Sequence, residues 1–496
     1  IDTGAILLET PVPVADDDTS LSLNMKCFAA ARDGFPTLVA ALAEGTLVGR
    51  PQPDGERRVH YRSDRPDRAG LLDWNRPARE LVDRVRALDF GPYPNPLGRA
   101  KLLDAAHRGW IVTGARALEG DSGERTSEPG TVISRDHTGW MIATGAGHLH
   151  VTALSTLTGA SVEPGTPTDL ALPALSPGDP LPLPSPTEGK ALDDAVAAAA
   201  RHEDRIRRRL ASLEGPGFPG IGPRDAQDPE AVRTIDVPVP TDPAVDTTRF
   251  EATAIAAWVI LLGRWGRRSP FDLAWFDRDA ATSPVEAALF SPWRPLRVTP
   301  EQGGTFDDVV RLTAARLTEE RETGAFLTDL VSRRPELTDG SGAPAPRLPV
   351  AVRTGSAPAT QAAASEEAHP LSLVVDAAGG RVALAYDPAR IDDATAQTLA
   401  EGLSTLLRRG VDAPDTPWPA VPTVDGPSRD SLLDVDDQTA APLREPLGHQ
   451  RVEALAREEP HRVAVRFEGR TLAYGALASR AEALADRLRA GGGGPG

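Results

Sequence analysis

SVEPGTPTDLALPALSPGDPLPLPSPT, residues 161–187, is the stretch that divides this chain. Proline has no amide N–H and clashes with the preceding helical turn, so a segment this rich in it sustains neither a helix nor a central strand. It reads as an extended linker, taken over 161–190. A second polar stretch marked by prolines runs from Asp412 to Pro446, with 431–446 as a further linker. The chain thereby separates into roughly 1–160, 188–411 and 447–496, the last piece too short to be a domain.

Composition narrows the classes. The chain has 496 residues, 40% hydrophobic and 25% charged, which fits globular protein of about two to four domains. Its 54 Lys and Arg against 71 Asp and Glu give a net charge of -17, which argues against a general affinity for nucleic acid or anionic membrane. Cys27 is the single cysteine, so no intrachain disulfide can form, and no Cys/His cluster has zinc spacing; a reducing cytoplasm is the expected location. The longest apolar run, Ala252 to Leu262, is about half the ~20 residues that span a bilayer, and Arg264, Arg267 and Arg268 follow it. The sequence starts at Ile1 without a basic leader, and is expected to be a piece of a longer protein.

Periodicity supplies the elements. AILLETPVPV reads as a strand, Ser20 to Leu42 as a helix stopped at Gly45, and Gly139–Ala143 with Gly147–Leu154 as a hairpin around Thr144-Gly145-Ala146. A helix is expected over Leu192–Leu213, its Arg201, Arg205, Arg207, Arg208 and Arg209 forming a solvated face rather than a phosphate site. Ile255, Trp258, Val259, Leu262 and Trp265 repeat at helical spacing as core. Thr305 and Asp308 form a capping box, Asp393–Arg409 a helix stopped by Gly410, and LSLVVD with RVALAY a hairpin. Helices and strands without a βαβ rhythm predict α+β for the middle piece.

Asp2-Thr3-Gly4 opens the chain, just before the apolar AILL. A carboxylate entering a strand beside a glycine that admits substrate is a plausible catalytic placement, although the residues alone favour a structural turn aspartate. The surrounding text changes that reading. IDTGAILLETPVPVADDDTSLSL, GTLVGRPQP and LLDWNRPARELVDRVRALDFGPYPNPLG, with Gln52, Asp73, Trp74, Arg86, Ala87 and Pro92, resemble the second half of the folate-dependent formyltransferases over nearly 160 residues. The family includes methionyl-tRNA formyltransferase and the formylating domain of nonribosomal peptide synthetases.

The resemblance implies the C-terminal part of a Rossmann-like catalytic sheet over 1–64 and a small OB-like β-barrel over 65–160. It implies formyl transfer from 10-formyltetrahydrofolate to a primary amine through a tetrahedral intermediate. Asp2 falls on the family's catalytic aspartate and would drain a proton from the amine, with Thr3 and Gly4 shaping the folate side. The family's Asn and His belong to an upstream motif absent here, so the isolated stretch is expected to be inactive. Few lysines favour a carrier-bound aminoacyl thioester over tRNA.

His148 and His150 face one side of their strand, yet no third metal ligand is evident. The text after them also lacks the first His, the Asp and the Gly of the condensation-domain HHxxxDG signature, so an exposed histidine pair on a barrel strand is the preferred reading. Residues 191–430 resemble the C-terminal lobe of a condensation domain, through ARHEDRIRRRLASL, SPWRPLRV, TFDDVVRLTAARL and the final hairpin and helix. Residues 447–496 resemble the opening of an adenylation domain, RTLAYGAL placing Leu472, Tyr474 and Leu477 on structural positions.

The whole implies a multidomain α/β and α+β protein, part of a synthetase initiation region that formylates an amine of a starter amino acid. ATP with Mg for adenylation and phosphopantetheine on a carrier would serve the full-length protein, and downstream synthetase modules would be its partners. No nucleic acid, membrane or resident metal is expected. The alternative is a noncatalytic scaffold positioning carrier and adenylation domains; a free-standing formyltransferase fits the downstream resemblances least.

Overall fold

The structure is a computed structural model describing residues 4–52, 60–61, 63–118, 127–162, 175–218, 221, 232–240, 246–266, 270–277, 283–338, 348–355, 369–426, 429–430 and 447–491. It is a mixed α/β chain that splits into two compact units, Ile1–Thr423 and Val424–Gly496.

In the first unit, helix α1 (Ser20–Ala43) begins at Thr19, whose hydroxyl accepts the Ser22 amide while Ser22 answers the Thr19 amide. It ends before Gly45, which takes a φ of 68°. The strand expected at 5–14 is reduced to one bridge pair, Ile6 with Arg50. Ladders grow by adding neighbours on both sides, and Arg50 is the one pairing partner among the described residues. Phe28, Phe35 and Leu42 of α1 stay exposed.

Helix α2 (Ala78–Ala87) then covers a six-stranded antiparallel sheet of β1 (Lys101–Leu103), β2 (Gly109–Leu118), β3 (Val132–Asp136), β4 (Gly139–Ala143), β5 (His148–Thr156) and β6 (Ser161–Val162). The spatial order is β1-β2-β5-β4-β3, with β6 on β5 and a bulge in β2 at Gly114. Alternation along the strands sends Trp110, Val112, Trp140, Ile142, Leu149 and Val151 inward against Leu81, Val82 and Val85 of α2.

The proline-rich stretch is not simply a spacer. Residues 163–174 lie outside the described residues, but the segment from Leu175 to Leu183 packs on the sheet. Leu175 and Leu181 enter its core, and Pro180 bridges Thr131. Asp179 accepts the Val132 amide at 3.0 Å, and the Leu181 amide donates to Gly130 at 2.9 Å. The prolines are tolerated because this is an edge, where N–H groups are not needed on the outer side.

Helix α3 starts earlier than expected and runs Pro186–Leu210. Ser185 and Glu188 make a capping box, and Pro186 at the first helical position loses no hydrogen bond. It leads into β7 (Arg233–Val237), α4 (Thr247–Trp265), β8 (Leu273–Asp277), α5 (Pro284–Leu289), β9 (Arg294–Leu296), α6 (Phe306–Thr323), β10 (Val350–Thr354), β11 (Leu371–Asp376), β12 (Arg381–Tyr386) and α7 (Asp393–Asp412). The second sheet is mixed, in the order β7-β12-β11-β10-β8-β9, with β10 parallel to both β8 and β11. Helix α4 is apolar on all sides because it lies among β11, α6 and α7; Ile255, Trp258 and Leu262 are buried.

Gly410 does not stop α7. A Cβ there would meet the Phe306 ring at 2.6 Å, so the glycine makes room for an aromatic side chain while the helix continues to Asp412. The polar stretch after it also packs in part: Val421 is buried, and Arg264 donates to the Val421 and Trp418 carbonyls at 2.6 and 2.5 Å. Residues 431–446 lie outside the described residues.

The second unit holds α8 (Gly448–Glu458), the hairpin β13 (Val463–Phe467) and β14 (Arg470–Ala473), and α9 (Tyr474–Ala490). Leu472, Tyr474 and Leu477 are half-buried at the junction of β14 and α9. Among the described residues no helix is long and apolar enough to cross a membrane.

Candidate active-site segment and its support

Asp2 and Thr3 lie outside the described residues; Gly4 is exposed at the start of the described chain. The Gln52 side-chain amide donates to the Gly4 carbonyl at 2.9 Å. Two residues further in, Ile6 and Arg50 exchange amide hydrogen bonds of 2.8 and 2.9 Å. Gln52 and the bridge therefore fix the chain two and four residues from Asp2. Gln52 carried no role at the level of sequence, because 48 residues separate it from Gly4 and its effect exists only once the two segments pair.

The next turn is held by Asp18. Its carboxylate accepts Lys26 at 2.7 Å, the Ser22 hydroxyl at 2.7 Å and the Ala15 amide at 2.8 Å, and the Lys26 bond first among these lowers its pKa to about 2. Helix α1 is tied to α2 through Ser20, whose hydroxyl donates to the Ala87 carbonyl at 2.6 Å, and through Arg86, which donates to the Asp16 carbonyl. Arg86 and Ala87 thus act as a joint. A cleft of about 700 Å³ opens there, lined by Asp18, Leu23, Arg79, Arg86 and Arg116. Trp74 is the buried anchor of the same region, 1% exposed, with the close-packed Gly130 against its ring.

On β5, His150 meets the Thr138 hydroxyl at 3.2 Å across the β3–β4 turn, and His148 pairs in register with Leu118 and Ala143. Among the described residues no three His, Cys, Asp or Glu side chains form a metal-binding group.

The sheet and the following lobe share one buried interface. Leu71, Leu103, Ile111 and Leu157 pack with Leu192, Val196, Leu289 and Leu327. Beside them, Lys101 Nζ lies 2.6 Å from Asp329, both side chains wholly buried, and also donates to the Ala69 carbonyl at 2.8 Å. Asp329 accepts Arg333 Nε at 3.3 Å, and Arg333 forks onto Glu203 at 3.0 and 2.6 Å. Arg65 and Arg334 complete the shell of Glu203 at 3.0 and 3.2 Å. Burial alone would raise the Asp329 carboxyl, but the Lys101 and Arg333 cations hold it at about 2. Asn95 closes the seam, its amide donating to Arg333 O at 2.9 Å. Nothing in the order of the residues announced this network, since its members are scattered from 65 to 334.

Comparison with known proteins bears on the first third. The family model described as "Formyl transferase, C-terminal domain" matches residues 67–164. Methionyl-tRNA formyltransferase of Burkholderia multivorans is 36% identical over 159 residues, 31% of this chain and 44% of the relative. The Thiobacillus denitrificans enzyme of the same name is 36% identical over 178 residues, 34% of this chain and 53% of the relative. The chain spans about half the length of these curated relatives. Among solved structures, the starter condensation domain of a rhizomide synthetase covers 46% of this chain and 56% of its own at 13% identity and TM-score 0.36. A nonribosomal peptide synthetase with AMPPNP bound covers 62% and 38% at 19% identity and TM-score 0.37. At such TM-scores these likenesses do not establish a shared fold. Over residues 67–164, this chain carries the C-terminal domain of the formyl transferases.

Proposed function

We propose that this chain belongs to the initiation region of a nonribosomal peptide synthetase and contributes to formyl transfer from 10-formyltetrahydrofolate to an amine of a carrier-bound amino acid. The observation that carries the reading is the formyl transferase C-terminal domain at 67–164, preceded by a segment that Gln52 and Arg50 hold in place directly after Asp2. The condensation-like lobe over 191–430 and the adenylation-like opening over 447–496 rest on the sequence resemblances quoted above. The folate donor supplies the formyl group. Asp2 takes a proton from the attacking amine as the new C–N bond forms; the tetrahedral intermediate collapses by breaking the formyl C–N10 bond, the proton passes to N10 of the departing tetrahydrofolate, and Thr3 and Gly4 shape the folate side. ATP with Mg and phosphopantetheine belong to the adenylation and carrier steps of the whole protein.

The test is a formylation assay on the full-length synthetase, its carrier loaded with amino acid and 10-formyltetrahydrofolate supplied, beside Asp2→Asn. Formylated aminoacyl thioester is expected, reduced about 10²- to 10⁴-fold in the variant with aminoacyl loading unchanged. A wild type that loads normally and does not formylate would refute the reading. That outcome would favour the second reading, a noncatalytic scaffold for carrier and adenylation domains.

A further inference from the structure

The run of arginines on α3 divides into two groups in the folded chain. Arg201 is exposed, and Arg207 pairs with Glu336 at 3.0 Å. Arg205, Arg208 and Arg209 instead line a cavity of about 560 Å³ between α3, β9 and α6, together with Arg294, Arg297 and Arg316. Glu319 and Glu320 are the carboxylates on its wall. Asp272 lies behind it, wholly buried and held by Arg209 and Arg297. Six guanidinium groups against these three carboxylates leave an excess of three positive charges, in a chain whose net charge is -17.

The cations are unequal. Arg205 reaches Glu319 and Glu320 at 3.1 and 3.5 Å, and Arg316 reaches Glu319 at 2.6 Å. Arg208 and Arg294 have no carboxylate within ion-pair distance among the described residues. Arg208, exposed, uses only its Nε–H, which donates to the Asp204 carbonyl at 3.2 Å. Arg294 is 7% exposed; its Nη1 donates to the Glu320 carbonyl at 3.1 Å, and its guanidinium lies 5.3 Å from the Trp275 ring centre. Burial pushes its pKa down, although Asp277 and Glu320 oppose the shift. Arg294 also lines a second cavity, of about 630 Å³, which meets the first at Gly324.

A buried cation that no carboxylate contacts directly is costly, and a planar guanidinium matches two phosphate oxygens at once. The first cavity falls within the usual size of small-molecule sites. We propose that it binds a phosphate-bearing small molecule, gripped by Arg294 from inside and Arg208 from the rim, with Arg209, Arg297 and Arg316 supplying the surrounding positive field. This inference does not depend on formyl transfer.

Calorimetric titration of the full chain at low salt, with inorganic pyrophosphate and separately with glycerol phosphate, tests it. One saturable site is expected, weakened about tenfold by Arg208→Ala and unchanged by Arg381→Ala, an exposed arginine of β12 outside the cavity. Arg208 is exposed, so its replacement reads binding and not folding. Tighter binding of glycerol phosphate identifies a phosphate ester as the natural chemistry, and tighter binding of pyrophosphate a free diphosphate. Absence of saturable binding for both probes, or equal losses in the two variants, overturns the proposal.

Discussion

Replacing Asp329 by Asn probes the seam between the six-stranded antiparallel sheet and the lobe. The carboxylate is wholly buried and faces Lys101 at 2.6 Å and Arg333 at 3.3 Å. At an effective dielectric of about 20, the Lys101 contact alone corresponds to about 6 kcal/mol of attraction. Relaxation and the remaining bond to the Ala69 carbonyl reduce the measured loss, and breaking one partner of a buried pair costs about 3–5 kcal/mol. Urea unfolding of the full chain, followed by tryptophan fluorescence, should shift to lower denaturant by that amount. The pH dependence has a defined sign. The folded carboxyl titrates at about 2, below its ordinary 3.8, so its stabilisation is complete above pH 3.8 and is lost as pH falls through 2. The double variant Lys101→Met with Asp329→Leu removes the desolvation penalties of the pair but leaves Arg333 Nε and the Ala69 carbonyl without these partners, so it should recover only part of the loss. A single variant that loses less than about 1 kcal/mol would refute the claim that this pair is dry and obligatory.

Two further substitutions test the lobe. Gly410→Ala would gain about 1 kcal/mol in an ordinary helix interior, but the Phe306 ring 2.6 Å from the new Cβ should turn this into a net loss of about 1 kcal/mol or more, read by thermal unfolding. Thr305→Ala removes the hydroxyl that accepts the Asp308 amide at 3.2 Å, and should cost about 1 kcal/mol in the same measurement, with Thr305→Ser near wild type.

Local chemistry made several elements legible from the letters alone. The capping box at Thr305 and Asp308, the glycine after α1, the hairpin at 139–154 and the β11–β12 pair depend on residues close in sequence, whose preferences act within one turn. The apolar run of α4 announced its burial for the same reason. The formyltransferase text around residues 67–164 was likewise readable, because family resemblance resides in the order of letters.

Other features belong to the folded chain. Proline density over 161–187 read as a linker, yet it could not show that β6 would form at 161–162, that an edge at Thr131 and Val132 would bind residues 178–181, or that α3 would start at Pro186. Gly410 looked like a helix stop until the Phe306 ring, about a hundred residues away, gave it a packing reason. Gln52 became a support for the segment after Asp2 only by reaching Gly4, and the arginines of α3 acquired separate tasks only against α6 and β9. Sequence fixes what depends on neighbours along the chain: caps, turns, periodicity and family text. Burial, long-range ion pairing and cavity formation depend on which distant segments share a low-dielectric interior, and that is decided by the tertiary structure.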